Sequence, residues 1–295
     1  MTSLLRRVKT GLSIAAHRKV RGILDGEYTS VFHGRTIEFD DLRPYVAGDE
    51  PRDIDWKATA RHGAPLVRRY IASRKHTVML VVDTGRNMAA LAVDGEVKRD
   101  IAVQAAGVVG YLAIRHADRV GLVHGDENQF STAAPGTSEA HLERLLQKIN
   151  GATTLDSGRS DLRGQLAFVA RAFPRRMILL VVADDRELGQ EEERLLRRLA
   201  VQHEILWLTV GDADLMREDW AADPMHDVAV DATMPEFVRA DKALRAEFTR
   251  SVAERAARSE DLFRSIGISS QRVSRSVDVV PSLFRLLRLH QHARR

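Results

Sequence analysis

Three polar positions with the chemistry of a binding site follow apolar runs or precede a helix in this sequence. They are Asp83, the pair Ser160 and Asp161, and Asp184. Ligands of wound α/β sheets bind outside the carboxyl ends of parallel strands, so we expect these side chains to converge at one rim. Oxygen ligands from three loops suit a hard cation such as Mg²⁺. The same side chains could instead cap helices and hold turns, and the sequence leaves both interpretations open.

A second group of candidate residues lies in a charged N-terminal stretch that no simple helix or strand period explains. Its members are Arg35, Glu38, Arg43, Asp49, Arg52, Asp53, Asp55, Trp56 and Arg61. One interpretation is a salt-bridged layer that fixes this stretch on the sheet, with Trp56, Phe39 and Tyr45 as packing anchors. The other is a docking surface for a partner protein, since Arg and Trp are favoured at such surfaces.

The elements that would position these residues alternate between strands and helices from Thr77 onward. Apolar runs predict strands at Thr77–Val82, Arg119–His124, Gln129–Ala133, Met177–Ala183, Glu204–Val210 and, more weakly, His226–Val230. Helical spacing predicts helices at Glu96–Ala117, Ser138–Ile149, Leu162–Ala172, Glu191–Val201, Pro235–Ser265 and Ser282–Gln291. This order predicts an α/β fold with a doubly wound, mostly parallel sheet and helices on both faces.

The sequence divides into three predicted parts. Residues 1–75 form an arm, helical from Leu4 to Leu24, and the short charged module, with strand character at Gly34–Phe39 and Pro65–Ile71. Residues 76–235 form the α/β domain. Residues 236–295 form a helical C-terminal extension that completes the same domain. This extension contains an extended piece at Ile266–Val273.

The charged stretch carries a resemblance to a known bacterial family. The segment Gly34–Phe39, with Thr36 where the family has a second glycine, and the residues through Asp55 and Trp56 resemble the "domain of unknown function 58" proteins. The resemblance implies a von Willebrand factor A-like domain. It also implies a MoxR-type AAA+ ATPase as partner, with the chain acting as a non-enzymatic adaptor in chaperone-like assembly of an unknown client.

The resemblance also implies a metal-ion-dependent adhesion site, and this chain departs from its pattern. The motif begins Asp-x-Ser-x-Ser, and here Asp83 is followed by Gly85 and Asn87 in place of the serines. Ser160 stands where the motif has a threonine, and Asp184 where it has its last aspartate. Glycine supplies no ligand and an amide supplies no charge, so we expect a degenerate site that binds its partner without a bridging metal. Mg²⁺ binding stays an open alternative.

The composition of the chain and the motifs that it lacks limit the classes of function that we expect. The chain has 295 residues, a net charge of +4 and no cysteine, and the charge is positive at both ends and negative between them. No apolar run reaches the roughly 18 residues of a membrane helix, so the sequence predicts a cytoplasmic protein without membrane insertion. No nucleotide-binding loop, nucleophile elbow or zinc-protease motif is found, so we expect no enzyme.

Two rival functions remain open. One is a metal-dependent hydrolase that uses Asp83, Asp161 and Asp184. The other is a nucleic-acid-associated protein that uses the basic stretch Arg239–Arg295, although its few aromatic residues make nucleic acid an unlikely ligand.

Overall fold

The computed structural model describes residues 3–15, 24–29, 38–46, 49–71, 75–213, 226–229, 232–233 and 241–293. The chain forms two compact units. The smaller unit is residues 32–75, and the larger unit comprises residues 1–31 and 76–295. The N-terminal arm therefore belongs with the larger unit rather than with the charged module. Packing of that module on the sheet stays a prediction.

The strands fall into one large sheet and two small ones. In chain order they are β1 (Glu38–Pro44), β2 (Leu66–Ile71), β3 (Thr77–Asp83), β4 (Arg119–Gly125), β5 (Phe130–Gly136), β6 (Ile178–Asp184), β7 (Glu204–Val210), β8 (His226–Asp227), β9 (Ala232–Thr233) and β10 (Ser269–Val273). The large sheet has the order β10-β7-β6-β3-β4-β5. All its neighbours are parallel except β5, which pairs antiparallel with β4. The small pairs β1–β2 and β8–β9 are antiparallel.

Eight longer helices accompany these strands in the described part of the chain. They are α1 (Leu4–Ala15), α2 (Trp56–His62), α3 (Lys98–Arg115), α4 (Glu139–Ala152), α5 (Leu162–Ala172), α6 (Gln190–Gln202), α7 (Lys242–Ser265) and α8 (Val279–Ala293). Helices α2, α4, α5 and α7 follow residues whose side chains accept backbone N–H bonds: Asp55 at α2, Ser138 at α4, Asp161 at α5 and Asp241 at α7. Such caps satisfy donors that the first helical turn leaves unpaired.

The large sheet is covered on both faces, which explains why its central strands are apolar throughout. On one face α5, α6 and the end of α7 pack on alternate strand residues such as Met79, Val81 and Trp207. The helices α3 and α8 contact the sheet as well, and α1 and α4 pack on α3. Parallel strands buried on both faces read as continuous hydrophobic runs, as β3 and β6 do. The predicted α/β fold class is confirmed.

The C-terminal region differs from its prediction in its boundaries. The predicted helix Pro235–Ser265 begins at Lys242, and residues 234–240 lie outside the described residues. The extended piece after it is β10, which adds to the sheet beside β7. The last helix begins at Val279 rather than Ser282, because Pro281 is tolerated in the first helical turn, where its missing N–H costs nothing.

The helix α1 is held to α4 by a carboxylate that caps its start. Glu143 of α4 accepts hydrogen bonds from the backbone N–H groups of Leu4 at 3.0 Å and Leu5 at 2.7 Å, and from the Ser3 hydroxyl at 2.8 Å. Burial alone would raise the pKa of Glu143, but these bonds and one from Gln147 lower it. Glu143 therefore adds to the local cap of α1, in which the Ser3 hydroxyl accepts the backbone N–H of Arg6 at 3.2 Å.

Replacing this cap is expected to loosen α1. Glu143→Ala should lower the free energy of unfolding by about 1–2 kcal/mol, because the first N–H groups of α1 lose their acceptor. Arg144→Ala, at the exposed neighbouring position on α4, should change it by less than about 0.5 kcal/mol. Urea denaturation of both variants measures the difference. Equal stabilities would show that the cap contributes nothing.

Candidate functional site

The carboxyl ends of the parallel strands bring the predicted rim residues together. Asp83 ends β3 and Asp184 ends β6, and their charges interact strongly enough to affect the pKa of Asp83. The loop before α5 brings Ser160 against the turn after β3, where its atoms lie beside Gly85. The rim therefore gathers three separate turns around Asp83.

Asp83 is buried and carries a strongly shifted pKa. Its Oδ1 accepts the backbone N–H of Gly85 at 2.9 Å. Burial raises the pKa of Asp83 to about 6, while Ser160 and the Gly85 N–H oppose this rise and the charge of Asp184 adds to it. A carboxyl group in such surroundings stays ionised at neutral pH only at a cost in free energy.

Gly85 is the position where the two turns touch. A Cβ atom there would lie 2.5 Å from the backbone nitrogen of Ser160 and 2.6 Å from its Cα. The neighbouring Arg86 N–H donates to the carbonyl of Gly158 at 2.9 Å and fixes this approach. The backbone of the second turn thus fills the space that a serine side chain would need at position 85.

A side chain at this position is expected to force the turns apart. Gly85→Ala should lower the free energy of unfolding by about 1–3 kcal/mol, because backbone atoms cannot give way as a flexible side chain would. Gly151→Ala is the matched control: it lies within α4, with open space around its Cβ among the described residues, and should stabilise by up to about 1 kcal/mol. Thermal unfolding compares the two. A neutral Gly85→Ala would show that the turns separate freely.

A buried lysine, which the sequence analysis did not single out, lies at the rim. Lys98 is 1% exposed. Its Nζ donates to Asp184 Oδ1 at 2.6 Å and also to the carboxylate of Asp212, just after β7. Burial opposes the charge of Lys98, but Asp184 and Asp212 together raise its pKa, so the ammonium is retained.

Asp184 is fully engaged by protein donors. In addition to Lys98, Asn87 Nδ2 donates to its Oδ2 at 3.0 Å, and the backbone N–H of Asp185 donates to Oδ1 at 2.8 Å. Burial would raise the pKa of Asp184, but the charge of Lys98 and these hydrogen bonds lower it. Asp212, which shares the same ammonium, has a raised pKa because of burial and the nearby charge of Asp184.

One observation at the rim is compatible with a cation. Asp83 Oδ2, Asn87 Oδ1 and Ser160 Oγ are buried, and none makes a hydrogen bond of good geometry within the described residues, although the Ser160 hydroxyl lies near enough to Asp83 to lower its pKa. Carboxylate, amide and hydroxyl oxygens are hard ligands of the type that Mg²⁺ accepts. By donor chemistry alone, these three atoms would therefore suit it.

The charges at the rim oppose a divalent cation. A Mg²⁺ ion at its usual 2.0–2.1 Å from Asp184 Oδ1 would lie within about 4.7 Å of Lys98 Nζ. At an effective dielectric constant of about 20, repulsion between these two charges alone is about 7 kcal/mol, which offsets part of the attraction of the ion to the neighbouring carboxylates. Arg186 adds a further positive charge close enough to lower the pKa of Asp83. The residues present therefore do not fit the metal site that the family resemblance implies.

The third carboxylate of the rival hydrolase also has a structural role. Asp161 accepts the backbone N–H of Gly164 at 2.9 Å and caps α5. Asp185, beside Asp184, forms an ion pair with Arg272 of β10. The cap of α5 is thus Asp161, whereas the sequence analysis offered Ser160 for that role.

A polar cavity of about 320 Å³ lies beside this rim. Its lining includes Thr84, His124, Asp126 and Ser157. Burial, followed by the charge of Lys148, lowers the pKa of His124 and favours the neutral imidazole. Asp126 joins two loops here, because its carboxylate accepts the N–H of Asn128 at 2.9 Å and that of Gly158 at 2.8 Å.

In the smaller unit, the predicted charged residues divide into bonded and exposed members. Arg43 donates two hydrogen bonds to Asp49, at 2.8 and 2.6 Å, and Asp55 caps α2 through the N–H groups of residues 57 and 58. Arg52 pairs with Glu50, and Arg61 is exposed. Arg35 and the side chain of Glu38 lie outside the described residues.

Trp56 is not buried within the smaller unit, and its predicted anchoring of this unit on the sheet stays a prediction. Its side chain is 67% exposed, and Tyr45 in the same unit is exposed as well. The side chain of Phe39, the third predicted anchor, lies outside the described residues.

Lys98 could have been found from the helical spacing of the sequence. It lies three residues before Ile101 and seven before Ala105, on the face of α3 that packs in the core. A lysine on a core-facing stripe needs a carboxylate partner, because an unpaired buried ammonium is very costly. Its partner Asp212 follows β7 and gave no such signal.

A mostly parallel, wound sheet with its polar turns gathered at the carboxyl rim places the chain in the class of doubly wound α/β proteins. The chain belongs to the family described as "Protein of unknown function DUF58", whose model matches residues 41–258. The family resemblance seen in the charged stretch is thereby confirmed.

The chain is similar to a mycobacterial protein and to several solved structures. An uncharacterised protein of Mycobacterium tuberculosis is 28% identical over 254 residues, covering 82% of this chain and 79% of the relative. A von Willebrand factor type A structure from Catenulispora acidiphila matches with 10% identity and a TM-score of 0.42, covering 73% of this chain and 42% of that one. An aerotolerance-related membrane protein from Bacteroides fragilis matches with 17% identity and a TM-score of 0.43, covering 72% and 98%. At these TM-scores the fold assignment rests on the strand order and the family match.

One of these comparisons corrects the predicted location. The cytoplasmic location expected from the sequence is overturned, because the matched Bacteroides fragilis structure is described as a membrane protein. We therefore assign no location to the chain. Within the ranges that the structure describes, no helix has both the length and the apolar character needed to cross a bilayer.

Proposed function

We propose that this chain is a non-enzymatic protein-binding scaffold whose partner is a MoxR-type AAA+ ATPase. The von Willebrand A-like fold is consistent with a scaffold, and the partner class comes from the family resemblance. The observation that carries the proposal is the exposed indole of Trp56 on the charged unit. Tryptophan is among the residues most enriched at the energetic centres of protein interfaces.

The surroundings of Trp56 support docking because its helix is held at both ends. Asp55 caps the start of α2, and Gly63 ends it in the left-handed conformation, with its N–H bonded to the carbonyl of Thr59. The Thr59 hydroxyl in turn accepts the N–H of Leu66 at 2.9 Å and ties α2 to β2. An aromatic side chain on a fixed helix loses little conformational entropy when a partner covers it.

The charged residues frame a second exposed part of the same unit. The two-pronged bond between Arg43 and Asp49 closes the loop that carries the exposed Tyr45 and Val46. The hydrogen bond from Arg43, with one from the N–H of Val46, lowers the pKa of Asp49. The ion pair therefore ties Asp49 to β1, and the described apolar side chains of Tyr45 and Val46 are exposed.

The bonding of the rim carboxylates favours a scaffold over the rival hydrolase. Asp161 caps a helix, and Asp184 is held by Lys98 and Asn87. A hydrolase of that kind needs carboxylates that are available to a metal ion or a water molecule. Asp161 and Asp184 instead form their hydrogen bonds with groups of the protein itself.

The basic C-terminal stretch gives little support to nucleic-acid binding. Many of its described arginines have acidic partners: Arg250 with Glu247, Arg264 with Asp261, Arg272 with Asp185 and Arg275 with Asp278. Phosphate binding needs cations that can give up their counterions to the nucleic acid. Cations paired within the protein contribute less to such binding.

A binding assay tests the proposal. The full chain should bind a purified MoxR-type ATPase from the same genome in at least one nucleotide state, measured by surface plasmon resonance. Trp56→Ala should weaken this binding at least about tenfold, the effect of removing a hot spot of 1.4 kcal/mol or more. The matched control is Val201→Ala, since Val201 is 87% exposed on α6 and lies outside the charged unit. No association in any nucleotide state would contradict the partner, and equal effects of both variants would contradict the docking surface.

A further inference from the structure

We propose that the ammonium of Lys98 is the resident cation of the rim, in the role that a divalent metal ion has in metal-dependent relatives. The carboxylates of Asp184 and Asp212 are then compensated without a metal ion, because the lysine side chain supplies the positive charge. This inference concerns the larger unit alone and does not depend on the identity of the partner.

The position of Lys98 supports this role because it joins the segments that follow three neighbouring strands of the sheet, one of which ends at Asp184 of the adhesion motif. Its backbone N–H donates to the carbonyl of Ala90 at 3.0 Å, which ties the start of α3 to the segment after β3. Its side chain reaches Asp184 at the end of β6 and Asp212 after β7. One residue therefore connects the chain segments that follow three parallel strands.

The hydrogen bonding of Asp184 shows that this carboxylate is satisfied with the lysine in place. Each of its oxygens accepts a side-chain donor, Lys98 on Oδ1 and Asn87 on Oδ2. Asn87 thus presents its NH₂ group to Asp184, where the adhesion motif has a serine hydroxyl. A metal ion could reach Asp184 only after displacing these donors.

The contacts around Gly85 support the same conclusion from the other side of the rim. The backbone of Ser160 occupies the space in which a ligating serine at position 85 would lie. Changing this glycine alone would therefore not restore the motif. Glycine at position 85 leaves the motif without one oxygen ligand. Lys98 supplies the positive charge that the metal ion would otherwise bring.

Metal titrations test this role directly. For the full-length wild-type protein, isothermal calorimetry with millimolar Mg²⁺ or Mn²⁺ should give no binding heat, and the melting temperature should not change. Lys98→Met removes the charge and keeps the length of the side chain. In this variant Asp184 and Asp212 become available, so near-saturating Mn²⁺ should raise the melting temperature by about 5 °C or more. Lys148→Met, a change at an exposed lysine of α4, is the matched control and should behave as the wild type.

Two results would overturn the proposal. The first is metal binding by the wild type that Asp83→Ala or Ser160→Ala abolishes, since the rim would then hold a metal with Lys98 in place. The second is a folded Lys98→Met protein whose melting temperature is as insensitive to Mn²⁺ as that of the wild type. The wild-type titration decides the question even if Lys98→Met does not fold.

Discussion

Lys98→Met is expected to lower the free energy of unfolding by about 3–5 kcal/mol in metal-free buffer. The ammonium is buried and compensates Asp184 and Asp212. Removing one partner of a buried ion pair leaves the other charge without compensation in a medium that solvates it poorly. Methionine keeps most of the apolar stem, so the loss reports the charge rather than a cavity.

Chemical denaturation with matched variants measures this loss. Lys148→Met should change the free energy of unfolding by less than about 0.5 kcal/mol, because surface substitutions seldom do more. Adding Asp184→Asn to Lys98→Met should recover part of the loss, since the uncompensated charge is then absent. A Lys98→Met protein as stable as the wild type would mean that the carboxylates are solvated in another way.

Asp83→Asn is expected to have the opposite effect. It should raise the free energy of unfolding at neutral pH by about 3 kcal/mol. The pKa of Asp83 is about 6 in the folded state, against an ordinary value of 3.8 for an aspartate side chain. Each unit of difference corresponds to about 1.36 kcal/mol. Asparagine removes the buried charge and keeps an oxygen that can accept the Gly85 N–H.

The pH dependence of this effect follows from the direction of the shift. Because the pKa of Asp83 is higher in the folded state, Asp83 contributes its full stabilisation only below its pKa in the unfolded chain. This contribution is lost as pH rises through about 6, the pKa in the folded state. The wild type and Asp83→Asn should therefore have similar stabilities near pH 4 and differ fully above about pH 6. Denaturation at a series of pH values checks this, with the exposed Asp156→Asn as the control. A constant difference at every pH would assign the effect to packing instead of charge.

Much of the larger unit could be predicted from the sequence because its signals are local. The continuous apolar runs of β3 and β6 reveal strands buried on both faces, and Ser138 marks the start of α4 by its capping chemistry. The ends of these strands then place Asp83 and Asp184 at one rim by topology alone.

The bonding within the site could not be predicted because it depends on pairs distant in the chain. Lys98 and Asp184 are 86 residues apart, and Lys98 and Asp212 are 114 apart. The sequence showed the absent ligand at Gly85 but not the backbone of Ser160 that fills its place. Similarly, the exposure of Trp56 depends on how α2 lies on β2, which no periodicity in so short a helix reveals.

The attachment of α1 has a practical consequence for anyone who shortens this protein. Val8 of α1 lies so close to α3 that a Cβ on Gly107 would come within 2.6 Å of its side chain. Deleting the first fifteen residues would therefore uncover an apolar patch on α3 and leave Glu143 without the backbone it binds. Truncated versions that begin at the charged module should precipitate on expression, whereas a tag joined ahead of Ser3 leaves this interface whole.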